Sequence, residues 1–261
     1  MLLQSHVTEE RISMSNTAKA FENGKAVIGY IAAGDPDAES SIKFISVLAK
    51  AGVDMIELGI PFSDPIADEP EQQRASLRGL DSGANLETAF NIVKEVRKTC
   101  QLPIAFVSYL NPVYRYGYEE FFSECHNVGV DALFVIDLPF EEKGELIDFA
   151  RKYSVDLAPT MVPTSDERLR MIASESDGFI YFVPTKVDAS EASRMIDVIK
   201  DSTKTPVAIA FGDKTADDLG TVPQGADGIV IGSGLAKIIG EYGKDSADAL
   251  SRYVRSIKDK M

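Results

Sequence analysis

The sequence predicts an α/β protein built as a single closed barrel of eight parallel strands, each followed by a helix. Eight short, almost continuously apolar segments alternate with amphipathic segments along the chain, a pattern typical of buried parallel strands and covering helices. The length of 261 residues suits one (β/α)₈, or TIM, barrel. Gly34-Asp35-Pro36 follows the first segment in place of a glycine-rich dinucleotide turn, which disfavours an open doubly wound sheet. We expect one domain over residues 1–261, with an N-terminal extra helix and with residues 1–14 as a loose extension.

The predicted strands are apolar at almost every position, as expected for parallel strands that are covered on both faces. They comprise residues 26–31, 55–58, 104–109, 132–137, 157–162, 179–183, 207–211 and 228–231. In a barrel of this kind the catalytic groups come from the carboxyl ends of the strands and from the loops that follow them. Functional residues are therefore expected at those positions rather than inside the helices.

The segments between the strands have the apolar spacing of amphipathic helices. One apolar stripe runs through residues 42–49 and is followed by Gly52, where a helix C-terminal glycine is expected. A second stripe, residues 86–96, begins after Asn85, a favourable N-cap residue. A later helix is predicted to begin after Ser165. Strands and helices thus alternate without an evident linker.

Composition and charge restrict the possible partners. The chain is 44% hydrophobic and 26% charged, which is ordinary for a globular protein, and it has no apolar run of about 18 residues that would suit a membrane span. Its first residues lack the apolar core of a signal peptide, so we expect a cytoplasmic protein. A net charge of −14 argues against nucleic acid and anionic membranes as partners. A small anionic substrate stays possible, because a local group of backbone amides can bind an anion.

The sequence predicts neither a metal site nor a cofactor. Cys100 and Cys125 stand alone on predicted helical segments and are interpreted as packing residues. His6 and His126 fit no ligand or triad spacing. The predicted strands contain no lysine, which argues against an aldolase that forms a Schiff base.

The second predicted strand and its loop carry the candidate acid/base groups. Glu57 shares the alternation of Met55 and Gly59, so it is predicted to point into the barrel, where apolar surroundings would raise its pKa. Asp64 and Asp68 follow on a proline-containing loop and would be more hydrated. Alternatively, Glu57 forms an ion pair with a neighbouring cation, and Asp64 caps a turn.

These residues belong to a run, ELGIPFSDPIAD over residues 57–68, that resembles the signature of the tryptophan synthase α chain family. Shorter matches occur in the same order after the neighbouring strands. They are AGDP at residues 33–36, YLNP at 109–112 with YG at 116–117, and DLP at 137–139. The resemblance extends from about residue 21 to the C-terminus.

The resemblance implies a carbon–carbon lyase of tryptophan biosynthesis. It would cleave indole-3-glycerol phosphate into indole and glyceraldehyde 3-phosphate. Glu57 would match the family's catalytic glutamate, and Asp68 the aspartate that holds the indole N–H. Tyr181 would match an active-site tyrosine, and Tyr109 and Phe211 are also expected to contact the substrate. Two carboxyl groups with separated pKa values can perform both proton transfers of this reaction without a metal.

A phosphate site is expected between the loops after the seventh and eighth strands. Gly212 lies on the first of these loops, and Gly232 and Ser233 lie on the second, just before a predicted helix. Their backbone N–H groups and the serine hydroxyl could bind a phosphate. Alternatively, the glycines only permit a turn from strand to helix.

Three departures from the family pattern affect this rim. Residues 184–190 replace a glycine-rich mobile loop. Asp213 follows Gly212, so a bound phosphate would need Lys214 or Lys186 to offset its charge. Glu69 stands where the family usually has a glycine, with Glu71 two residues further. These two carboxylates are predicted to raise the pKa of Asp68 by repulsion, and Glu69 would lack the backbone freedom of glycine.

Family resemblance also implies a β subunit as partner, which would carry pyridoxal phosphate, whereas this chain would need no cofactor. The docking surface would be the barrel mouth, around Asp64 and residues 109–117. Because the phosphate rim departs from the pattern, an alternative is a catalytically impaired or redesigned α-like barrel that binds a ligand or partner without turnover. A third reading is a related barrel aldolase or isomerase with another substrate.

Overall fold

The computed structural model describes residues 15–261, and the predicted extension over residues 1–14 lies outside the described residues. A short 3-10 helix, Thr17–Phe21, precedes the first strand in the described part. All strand pairs are parallel, and the sheet order is β5-β4-β3-β2-β1-β9-β8-β7-β6. The strands are β1 Ala26–Ala32, β2 Met55–Gly59, β3 Ile104–Ser108, β4 Ala132–Val135, β5 Asp156–Leu157, β6 Thr160–Met161, β7 Ile180–Phe182, β8 Val207–Ala210 and β9 Gly228–Ile231.

One bent strand closes the barrel. Strands β5 and β6 are two halves of the segment predicted as a single strand over residues 157–162, and each half pairs with a different neighbour. The N–H of Ala158 donates to Leu133 O at 3.1 Å on the β4 side, whereas Pro159 O accepts from the N–H of Tyr181 at 3.1 Å on the β7 side. This segment thus hydrogen-bonds to β4 through its first half and to β7 through its second half. The eight predicted segments form the predicted (β/α)₈ barrel.

Most strands are followed by helices as predicted, but only the 3-10 helix Ala216–Thr221 lies between β8 and β9. Gly52 ends the first helix with a φ of 106°, and Asn85 caps the third through a hydrogen bond from the Thr88 N–H. The helices are α1 Ala38–Ala51, α2 Pro70–Asp81, α3 Leu86–Val96, α4 Leu110–Tyr116, α5 Tyr118–Val128, α6 Ile147–Lys152, α7 Asp166–Ser174, α8 Ala189–Lys200, α9 Ser233–Tyr242 and α10 Ala247–Lys258. Further 3-10 helices span Phe140–Glu145, Ala216–Thr221 and Gly243–Asp245.

The apolar side chains form two main layers, as expected for strands whose residues alternate between lumen and helices. The larger cluster packs strand residues such as Ile56 and Leu58 against the helices. The smaller cluster fills the barrel lumen and includes Met55, Ala105, Phe134 and Val230. Ala20 and Phe21 of the first 3-10 helix join this lumen cluster. The lumen is therefore a packed core near its amino-terminal end, which leaves the carboxyl ends of the strands for the site.

Among residues 15–261, no helix combines the length and apolar character that a membrane crossing requires.

Candidate active site

Glu57 lies in the lumen, on the phase predicted from the sequence. It is only 2% exposed, and its neighbour of the same phase, Met55, belongs to the lumen cluster. Burial raises the pKa of the Glu57 carboxyl from 4.5 to about 8. Its Oε1 is buried and has no hydrogen-bond partner among the described residues. No ion pair of Glu57 is seen within residues 15–261, and a buried oxygen without a partner is compatible with a catalytic role.

Asp68 approaches the same end of the barrel from the loop after β2. Burial raises the pKa of its carboxyl from 3.8 to about 6, although a hydrogen bond from the Tyr109 hydroxyl, 3.2 Å from Oδ1, opposes the shift. The Tyr109 hydroxyl also accepts from the Ala67 N–H at 3.0 Å, and its ring stacks on Phe62 with centroids 5.1 Å apart. Tyr109 therefore fixes the position of this loop and of the carboxyl that it carries.

The cause predicted for the pKa of Asp68 is wrong, although the direction is right. Repulsion by the neighbouring carboxylates was expected, but burial is the main cause. Glu71 pairs with Arg74 on the outer side of helix α2, and the side chain of Glu69 reaches Ser233. Glu69 does lack the backbone freedom of glycine, but it does not need it, because its φ of −68° and ψ of 155° suit any residue.

The charges of both carboxyl groups act on two buried tyrosines. Burial raises the pKa of Tyr181 well above its ordinary value, and the nearby charges of Glu57, Glu69 and Asp68 raise it further. Burial likewise raises the pKa of Tyr30, with further contributions from Asp68 and Glu57. The charges of Glu57 and Asp68 thus act on both tyrosines, which is consistent with a shared site at the carboxyl ends of the strands.

Tyr30 is a site residue that the sequence analysis missed. It is 4% exposed, lies beside Glu57 in the β1–β2 register, and its hydroxyl covers Gly59, where a Cβ would come within 2.3 Å of it. Only a glycine at position 59 leaves room for this hydroxyl. Strand alternation in β1 could have identified it. Ile28 and Tyr30 point to the same side of the strand, so the Tyr30 hydroxyl is a polar group on the side that faces the lumen.

A buried ion pair anchors the loops around the site. Arg78 of helix α2 donates to both carboxylate oxygens of Asp35, at 2.7 and 2.8 Å, and to Ala236 O at 3.0 Å. Asp35 is fully buried, and its pKa is raised by burial against the lowering effect of Arg78. The pair joins the ends of β1 and helices α2 and α9, which carry the acid/base loop and the predicted phosphate rim.

The structure brings the predicted phosphate residues together at the start of α9. Gly212 has a φ of +69° and its O accepts from the N–H of Gly234 at 3.2 Å. Ser233 is the first residue of α9, is 3% exposed, and donates from its hydroxyl to Glu69 Oε2. A Cβ at Gly232 would lie 3.0 Å from Gln72 Nε2, so helix α2 covers this turn. The rim exists as a structural unit, and its binding of phosphate stays a prediction.

Other predicted residues lie further from the lumen. Phe211 is 1% exposed and belongs to the cluster between strands and helices, so its contact with substrate stays a prediction. Lys214, expected to offset Asp213, donates to Thr221 at 3.0 Å, and Lys237 lies 3.7 Å from Asp213. The exposed Asp64 accepts from Ser63 at 2.7 Å.

The cysteines and His126 take no part in the site, and His6 lies outside the described residues. Cys100 and Cys125 are buried free thiols, which agrees with a packing role. Cys125 lies in α5, but Cys100 lies outside any helix, between α3 and β3, and not in the predicted helical segment. His126 Nδ1 contacts Tyr153 O at 2.9 Å. Across the described residues 15–261, no three His, Cys, Asp or Glu side chains are grouped to hold a metal ion.

The site therefore combines a buried carboxyl group that is protonated at neutral pH with a second that is ionised. Such a pair can donate a proton to one atom of a substrate while stabilising a cation at another. Comparison with known families agrees with this arrangement: residues 16–261 match the family model described as tryptophan synthase alpha chain. The chain belongs to this family.

Individual members of the tryptophan synthase alpha chain family are similar over almost the whole chain. The protein of Lacticaseibacillus casei is 38% identical over 252 residues, which cover 94% of this chain and 95% of the relative. The crystal structure of the alpha subunit from Legionella pneumophila is 32% identical with a TM-score of 0.88 and covers 95% of this chain and 98% of the other. A subunit in the α2β2 complex of Pyrococcus furiosus is 37% identical with a TM-score of 0.84, covering 90% and 99%.

Proposed function

We propose that the chain cleaves indole-3-glycerol phosphate by a retro-aldol reaction into indole and glyceraldehyde 3-phosphate, as a step of tryptophan biosynthesis. The observation that carries the proposal is the buried Glu57, whose Oε1 lacks a partner in the described part of the chain and whose pKa is raised to about 8. Membership of the tryptophan synthase alpha chain family supports the choice of reaction. We place this activity in the cytoplasm.

Glu57 would handle both protons of the reaction. In its protonated form it donates a proton to C3 of the indole ring, which becomes an indolenine cation. The resulting carboxylate then takes the proton of the glycerol hydroxyl as the bond between C3 and the glycerol carbon breaks. The electrons of that bond restore the aromatic ring, the hydroxyl carbon becomes an aldehyde, and Glu57 is protonated again. Atoms and charges balance without a cofactor.

Asp68 would stabilise the cation formed in this step. With a pKa of about 6 it is ionised at neutral pH, so it can accept a hydrogen bond from the indole N–H and offset the developing positive charge. Tyr109, which donates to the same carboxyl at 3.2 Å, holds it in place. The two carboxyl groups therefore act in different protonation states because burial raises their pKa values to different extents.

The remaining predicted residues would bind the two ends of the substrate. Tyr181 packs against the lumen cluster, where an indole ring could pack, and Phe211 would support the same region from the adjoining layer. Gly212, Gly232 and Ser233 would receive the phosphate at the start of α9, where helix N–H groups favour an anion.

We also propose that a tryptophan synthase β subunit, carrying pyridoxal phosphate, docks on the barrel mouth. Structures of the Pyrococcus furiosus relative contain an α2β2 complex. In this chain, two large apolar side chains are exposed in the region predicted for docking, Ile66 at 88% and Tyr114 at 69%. Large exposed apolar side chains at a predicted docking surface fit a protein interface.

The test of the lyase is a product analysis. Purified chain is incubated with indole-3-glycerol phosphate, alone and with a β subunit, and indole and glyceraldehyde 3-phosphate are quantified by NMR. We expect the two products in equal amounts, and faster release when the β subunit is present. Folded protein that yields neither product under both conditions would contradict the proposal.

The other readings receive less support. A Schiff-base aldolase lacks its nucleophile, since none of the strands described within residues 15–261 contains a lysine. A barrel that binds without turnover has no need of a buried carboxyl whose burial raises its pKa to about 8.

A further inference from the structure

The side chain of Glu69 points away from the helix that this residue caps. Glu69 is the N-cap of α2, but its side chain makes no capping hydrogen bond to that helix. The carboxylate instead reaches a residue 164 positions later in the chain, where the hydroxyl of Ser233 donates to Oε2. The orientation of the Glu69 side chain is therefore explained by its contact with the loop after β9 and not by capping of its own helix.

The same carboxylate also faces the other loop of the predicted phosphate site, the loop after β8 that contains Gly212. A Cβ placed on Gly212 would lie 3.7 and 3.8 Å from the two carboxylate oxygens of Glu69. Glu69 thus contacts the loop after β9 and lies against the loop after β8. These are the two loops between which the phosphate of the substrate is expected to bind.

A carboxylate at this position has the properties of a bound phosphate. It is negatively charged, it accepts a hydrogen bond from Ser233, and it lies at the start of α9, a helix of 10 residues whose N-cap, Gly232, has no side chain. A ligand phosphate would meet both the volume and the charge of Glu69 there. Because Glu69 is on the exposed side of the rim, it can move into solvent when an anion displaces it.

Two lysines that follow the rim residues in the sequence contact other groups. Lys237 lies 3.7 Å from Asp213, and Lys214 donates to Thr221 at 3.0 Å. Neither interaction neutralises the carboxylate of Glu69, so its charge acts on an incoming anion.

We propose that Glu69 is a specificity-determining residue that fills the phosphate site with its own carboxylate and must be displaced before a phosphorylated substrate can bind. The identity of the substrate in this inference rests on the proposed function, whereas the competition between Glu69 and an anion does not. The chain would therefore bind phosphate-bearing ligands weakly. Its affinity for indole-3-glycerol phosphate would exceed its affinity for unphosphorylated indole-3-glycerol by less than it would without Glu69.

The test uses glycerol 3-phosphate as the probe, with binding measured by isothermal titration calorimetry. Glu69→Gln keeps the size and the hydrogen-bonding capacity but removes the charge, whereas Glu69→Gly removes both charge and volume. We expect both variants to bind the probe at least about tenfold more tightly than the native chain, and Glu69→Gly the more tightly of the two. Glu71→Gln is the matched control, since Glu71 pairs with Arg74 and should leave the affinity unchanged.

Kinetics give a second readout. In the Glu69 variants we expect the KM for indole-3-glycerol phosphate to fall at least about fivefold with kcat within about twofold, and the KM for indole-3-glycerol to stay constant. Unchanged affinity for glycerol 3-phosphate in both variants would overturn the proposal, as would an equal gain in Glu71→Gln. If no variant releases indole, the proposed function fails, but tighter binding of glycerol 3-phosphate would still support the role of Glu69.

Discussion

The buried carboxyl of Glu57 should make the protein less stable as the pH rises. Its pKa is about 8 in the folded chain and 4.5 as an unperturbed group, so the folded state binds more protons between these values. The free energy of unfolding therefore falls as the pH rises through this window. Glu57→Gln keeps the shape of the side chain but cannot ionise, so it removes the destabilising contribution.

The two pKa values set the size of the effect. Linkage between protonation and folding predicts that Glu57 lowers the free energy of unfolding by about 1 kcal/mol at pH 5, about 3 kcal/mol at pH 7 and about 5 kcal/mol at pH 9. We expect Glu57→Gln to be more stable than the native chain by amounts that increase in this order, even though it should be inactive. A residue chosen for chemistry rather than stability is expected to behave in this way.

Urea unfolding followed by circular dichroism at the three pH values measures the difference. Groups that titrate in both proteins cancel, so only the change at position 57 remains. The exposed Glu95, which pairs with Lys98 on the protein surface, provides the control variant Glu95→Gln, with an effect below about 1 kcal/mol at every pH. A stability difference for Glu57→Gln that is the same at pH 5 and pH 9 would contradict a raised pKa of Glu57 in the folded protein.

Three further predictions follow from the site. The kcat/KM profile for indole-3-glycerol phosphate should be bell-shaped, rising as Asp68 ionises near pH 6 and falling as Glu57 ionises near pH 8; a flat profile over pH 5–9 would contradict these assignments. Tyr109→Phe removes the hydrogen bond that lowers the pKa of Asp68, so the acidic limb should move up by roughly half to one pH unit. Arg78→Met leaves the buried Asp35 unpaired and should reduce the free energy of unfolding by about 3–5 kcal/mol in urea titrations at pH 7, and a loss below about 1 kcal/mol would show that the pair is unimportant.

The placement of Glu57 could be predicted because strand alternation is a local property. Met55 and Glu57 share one phase, and a barrel strand sends that phase to the lumen and the other, with Ile56 and Leu58, to the helices. The same reasoning applied to β1 would have identified Tyr30. The alternation of residues along each strand therefore predicts which strand side chains face the barrel lumen.

The closure of the barrel was harder to predict. Residues 157–162 have the composition of one strand, but the structure divides them at Ala158 and Pro159, because Pro159 has no N–H to donate and the segment must serve two neighbours. Apolar composition does not indicate which neighbour each half will pair with.

The electrostatics of the rim depend on contacts between distant parts of the chain. Sequence proximity suggested that Glu69 and Glu71 would repel Asp68, but one reaches Ser233 and the other pairs with Arg74. The pKa of Asp68 rises because the loop is buried, which is a property of the folded barrel. Neighbouring charges in a sequence act on each other only if the side chains remain together after folding.

We propose that Glu57 transfers the protons of an indole-3-glycerol-phosphate lyase. The most direct test of this role is the rate of indole release from indole-3-glycerol phosphate by the native chain and by Glu57→Gln, with circular dichroism showing that both are folded. We predict indole release by the native chain and a loss of at least about a hundredfold in kcat for the variant. Equal rates for the two proteins would contradict the assignment of Glu57, and no indole from either would contradict the lyase itself.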